Sequence, residues 1–130
     1  MLNARLTPSE LYTRVDLHAR IEGSSGPELT GICFEALCSA LSRAGLAARR
    51  GDRQEVMNGL SRAANLLGGL QNAVDPEAEM ADVLIDFYGS ISLRLRELIQ
   101  VPSAQAIDEI RTDVEEVAPV LAPNRAMTAS

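Results

Sequence analysis

Apolar residues recur at three- and four-residue spacing through most of this chain, and three short breaks divide the pattern into four segments. The first carries Leu29, Ile32, Cys33, Ala36, Leu37, Ala40, Leu41, Ala44 and Ala47, which predicts a helix over 27–50. Its ends are marked. Ser24 or Ser25 can cap the start, Pro27 and Glu28 suit the first turn, and Arg49, Arg50 and Gly51 suit the end. Asp52 with Glu55 then opens a second helix over 53–74, with a seam of Val56, Leu60, Ala63, Leu67, Leu70 and Val74. Gly59, Gly68 and Gly69 interrupt it at about 1 kcal/mol each relative to Ala, so a close neighbouring helix or a local bend is expected there.

Asp75-Pro76-Glu77 predicts the start of a third helix, 76–100, with Met80, Leu84, Phe87, Ile91, Leu95 and Leu98 on one stripe. After Val101-Pro102-Ser103, a fourth helix over 104–121 uses Ile107, Ile110, Val114, Val117 and Leu121, with Pro119 distorting or ending it. Four helices of about 20 residues on short connections predict an all-α, antiparallel up-down four-helix bundle. The bundle spans 25–121. Residues 1–24 form an N-terminal arm or short helix hinged at Gly23-Ser24-Ser25-Gly26, and 122–130 a disordered tail.

Two helices carry more apolar surface than one core needs. At roughly 100° per residue, Phe34, Cys38 and Leu41 widen the apolar arc of the first helix to about 240°. A surface helix needs a stripe only somewhat above ~100°. In the third helix, Val83, Tyr88 and Leu93 lie off the main stripe, and the adjacent pair Phe87-Tyr88 differs by about 100°, so both cannot point into one core. Something beyond the bundle core should cover these strips: the arm, a second copy or a foreign helix.

Composition narrows the class. The 130 residues suffice for one domain, and with 3% aromatics the core must be aliphatic. No apolar run is expected to cross a membrane, no leader pattern is present, and a cytoplasmic protein is expected. The net charge of −6, with Arg as the only basic side chain besides the one His, argues against nucleic acid or anionic lipid as partner. Arg43, Arg49, Arg50, Arg53 and Arg62 nevertheless cluster, as a solvated helical corner would have them. Cys33 and Cys38 lie about 140° apart on one helix and cannot pair, so both read as reduced, packed thiols.

Catalytic chemistry is missing from this pattern. His18 is the single histidine and lies in the arm; a bundle metal site needs Glu-x-x-His on two helices. No phosphate-binding glycine loop and no nucleophile beside a base can be found. The expectation is no enzyme, no metal and no cofactor.

An ordered set of short motifs remains. Ile21-Glu22-Gly23-Ser24-Ser25-Gly26-Pro27-Glu28-Leu29 is similar to V-E-T-A-S-P-E-E-L, and Cys33-Phe34-Glu35-Ala36 falls at L-Y-D-G. Gly51-Asp52, Arg62-Ala63, Leu84-Ile85-Asp86-Phe87-Tyr88, Arg94-Leu95 and Ile107-Asp108-Glu109-Ile110 follow in the right order. Together they resemble FliS, the family of flagellin-specific export chaperones, over about residues 20–120. Phe34 replaces that family's usual Tyr, and Leu121 stands where many members have Trp.

The resemblance implies a chaperone that holds the C-terminal segment of flagellin in apolar grooves, prevents premature polymerisation and delivers it to the type III export gate, a component of which would be a further partner. On that reading the groove would use Ile21, Leu29, Phe34, Cys38, Leu41, Leu84, Phe87, Tyr88 and Ile91, and the arm would act as a lid through Leu11, Tyr12 and Val15. The chain would be a monomer or weak dimer. The alternative is a structural or regulatory bundle whose surplus strips close a homodimer, because either arrangement buries the same surface.

Overall fold

The computed structural model describes residues 26–121. They form four helices, α1 (Gly26–Arg50), α2 (Arg53–Asn72), α3 (Ala81–Gln100) and α4 (Ala104–Leu121), with no strand among the described residues. Neighbours in space are α1 with α2, α1 with α4, α2 with α3, and α3 with α4, which closes a four-helix bundle. The arm, its lid residues Leu11, Tyr12 and Val15, and the tail from 122 lie outside the described residues.

Capping explains where α1 stops and where α2 and α4 start. Gly51 takes φ 75°, the left-handed conformation that glycine adopts without penalty. This lets Asp52 N–H reach Ala47 C=O at 2.9 Å and Gly51 N–H reach Ala48 C=O at 3.2 Å, the paired bonds of a Schellman end. Asp52 then caps α2 by accepting from Glu55 N–H at 3.1 Å. The Glu55 carboxylate accepts from Asn58 Nδ2 instead of reaching back, so only half of a capping box forms. Ser103 Oγ accepts from Ala106 N–H and starts α4.

The third helix starts five residues later than its sequence signals predict. Asp75 accepts from Glu77 N–H through its carboxylate and from Ala78 N–H through its carbonyl, which completes a tight turn. That turn does not propagate, because the residues from Asp75 to Met80 are all exposed and have no apolar face to pack. Met80 is therefore an exposed residue ahead of α3 and not the first of its core stripe. Pro119 lies inside α4, and the helix continues past it to Leu121.

The core is aliphatic, with two aromatic rings. Leu37, Leu41, Ala44, Leu60, Ala63, Leu67, Ile107 and Val114 are fully buried, and no polar side chain is buried among the described residues. The tightest crossing joins α1 and α2. A Cβ added at Gly59 would stand 2.8 Å from Ala44 Cβ and 3.1 Å from Ala40 O. Gly68 and Gly69 have nothing within 4 Å, so close approach accounts for Gly59 alone.

Ion pairs pin the outer edges: Arg49 with Asp108 between α1 and α4, Arg94 with Asp113 at 2.7 Å between α3 and α4, and Arg43 with Glu55 at 4.0 Å between α1 and α2. Contrary to expectation, Thr30–Arg50 is long and apolar enough to cross a membrane by length and composition. Half of it is buried within the bundle, where it serves as the central core helix.

Candidate functional site

The partner-binding residues expected from the sequence divide by burial. Phe34, Leu41, Tyr88 and Ile91 are buried and belong to the core. Phe34, at 2% exposure, is thus no open contact, because its ring packs 6.2 Å from that of Tyr88. Cys38, Leu84 and Phe87 are half-buried, resting on the core with one side outward. Leu29 lies in α1, and Ile21 falls outside the described residues.

Tyr88 links these layers. Its ring lies between Phe34 on the inside and Phe87, 6.0 Å away, on the outside. Adjacent residues on a helix point about 100° apart, so burial of Tyr88 turns Phe87 toward the bundle edge. Burial, with a smaller contribution from Cys33, pushes the Tyr88 phenol up to about 12. Cys38 rises to about 11, mainly by burial and then by Glu115, with Arg111 opposing, which sets Cys38 against α4. Both thiols are protonated and free.

Phe87 borders the loosest seam of the bundle. Of the four neighbouring pairs, α3 and α4 have the least contact. Arg94, seven residues beyond Phe87 and on the same side of α3, bonds Asp113 of α4. That bond orients the strip of Val83, Phe87 and Arg94 toward α4. Val83 is 57% exposed, Leu84 and Phe87 are half-buried, and Val117 on α4 is half-buried. The result is an apolar edge floored by Tyr88 and Ile91 and bounded at one end by the Arg94–Asp113 pair.

Val83 and Met80, with Leu46, Ile85, Leu93 and Val101, are exposed apolar residues that sequence reading did not assign to a site. Val83 was legible as off-stripe, but periodicity does not say which neighbour is missing. Elsewhere, a polar depression is lined by Arg49, Gln105, Asp108, Glu109 and Asp113. Its Asp108 and Asp113 already hold arginines, which leaves it little capacity for a ligand. No cluster of potential metal ligands occurs among the described residues.

The profile of the family described as "Flagellar protein FliS" matches residues 8–120, nearly the whole chain. The chain belongs to the FliS family. It is also 30% identical over 110 residues to the flagellar secretion chaperone FliS of Salmonella typhimurium, covering 82% of each chain. FliS proteins are flagellar export chaperones, a family of binding proteins and not of enzymes. The FliS-like motifs occupy structurally decisive positions here: Gly51-Asp52 forms the whole α1–α2 turn, Ala63 and Tyr88 lie in the core, and Arg94 ties α3 to α4.

Proposed function

We propose that this chain binds the C-terminal segment of flagellin, holds it apart from premature polymerisation and delivers it to the type III export apparatus. One observation carries the reading: the edge of Val83, Leu84 and Phe87 on α3 is apolar, accessible and floored by the core residues Tyr88 and Ile91. An amphipathic segment laying its apolar face along such an edge is helix-in-groove recognition. Cys38, Leu84 and Phe87 would meet the segment directly. Phe34, Leu41, Tyr88 and Ile91 would support them from beneath, and Ile21 and Leu29 would add further apolar contacts.

Titration of the full chain with a C-terminal flagellin fragment, followed by size-exclusion chromatography, tests this. A one-to-one complex that Val83→Asp weakens at least about tenfold supports the reading. A homodimer indifferent to the fragment would replace it with the structural-bundle alternative.

A further inference from the structure

A second apolar face on α3 points away from the core. Asp82, Ile85, Gly89, Leu93 and Arg96 follow one another at three- and four-residue steps, so they share one side of the helix within about 80° of arc. All five are exposed, with Ile85 at 51% and Leu93 at 55%. Gly89 sits at the middle of this row. Mid-helix glycine is unfavourable, and here no described residue compensates, since an added Cβ would meet none of their atoms within 4 Å. A glycine between two exposed aliphatic residues allows another helix to approach closely.

The row is also self-complementary. Read outward from Gly89 in both directions, Ile85 answers Leu93 and Asp82 answers Arg96. Neither Asp82 nor Arg96 has an ion-pair partner among the described residues. An antiparallel copy of α3 crossing at Gly89 would set each Ile85 on the partner's Leu93 and each Asp82 beside the partner's Arg96. A two-fold interface requires this kind of mutual match.

We propose that the outer face of α3 is a homodimerisation surface, with a second copy of this chain packed antiparallel about Gly89. This face differs from the α3–α4 edge proposed for flagellin, and the inference does not depend on that reading. A single helix pair covers less than the roughly 800 Å² per partner of a standard stable interface, so the dimer is weak and concentration-dependent.

Sedimentation equilibrium of the full chain over a concentration series tests the proposal. Asp82→Arg or Arg96→Asp alone should weaken the dimer about tenfold or more, because each places like charges together twice. The double variant D82R/R96D should restore it to within about threefold. Gly89→Glu should abolish the dimer while leaving the melting temperature unchanged or higher, since the site is open in the monomer.

Paired cysteines at Ile85→Cys and Leu93→Cys should cross-link two copies on oxidation beyond the wild-type background. Ile85→Cys alone should not, because its two copies would lie about 12 Å apart along the helices. A monomer up to about 1 mM overturns the proposal. A dimer unaffected by the charge reversals overturns it equally, as does any protein other than this chain being required for association.

Discussion

Gly59 on α2 meets Ala44 on α1 so closely that a methyl group at Gly59 would stand 2.8 Å from the alanine Cβ. The next obstacles are backbone atoms, Ala40 O at 3.1 Å and Ala44 Cα at 3.3 Å, so relief requires the helices to separate. Gly59→Ala should destabilise the fold by about 1–3 kcal/mol in urea unfolding despite its gain in helix propensity. Gly68→Ala and Gly69→Ala meet open space and should each stabilise by up to about 1 kcal/mol. Equal effects at all three positions would refute this account of the crossing.

Gly45 provides an internal contrast. Its added methyl would stand 2.8 Å from Asp108 Oδ1, the far end of a flexible side chain. Gly45→Ala should therefore displace the carboxylate from Arg49 and cost less than about 1 kcal/mol, the usual upper range for exposed ion pairs. Chemical denaturation of Gly45→Ala beside Gly59→Ala measures the difference.

Phe34 and Phe87 should separate stability from binding. Phe34→Ala opens a hole beneath Tyr88 and should cost about 3–5 kcal/mol of folding stability. Half-buried Phe87 should cost less when truncated, yet Phe87→Ala should weaken flagellin-fragment binding by more than about 1 kcal/mol. Calorimetric melting and fragment titration on both variants would show whether the two losses divide in this way.

Alkaline pH should destabilise the protein. Cys38 and Tyr88 hold their protons more tightly folded than unfolded, with values raised from 9.0 to about 11 and from 10.0 to about 12. Between the unfolded and folded values the native state binds more protons, so stability falls as pH rises. The loss should begin near pH 9 with Cys38 and continue toward pH 12 with Tyr88. Tyr88→Phe should flatten the upper part of this decline in pH-dependent urea midpoints, and Cys38→Ser the lower part.

Most of the architecture was legible because capping chemistry and apolar periodicity agree. Gly51-Asp52 and Ser103 stop and start helices where their residue types demand. Asp75-Pro76 carries equally good start signals and fails, because a cap without an apolar face behind it closes one turn only. The sorting of Phe34 from Phe87 was not legible. Periodicity gives the width of an apolar arc, whereas burial depends on which neighbours stand beside each residue, and Phe87 borders the loosely packed α3–α4 seam while Tyr88 packs on Phe34. The glycines divide for the same reason: Gly59 faces another helix and Gly68 does not.

The two-residue link at Gly51-Asp52 also bears on how the chain reaches this state. Ala44 and Gly59 are near neighbours in sequence, so closing the loop between them sacrifices little chain entropy. Residues 26–72 can zip together from the turn outward before α3 and α4 exist on a nascent chain, since contacts so local form fast. Defects at Gly51 or Gly59 should therefore slow refolding, whereas defects in α3 should mainly hasten unfolding, as the two arms of a chevron plot would reveal. Synthesis would complete this hairpin first and only afterwards add the helix whose two faces look outward.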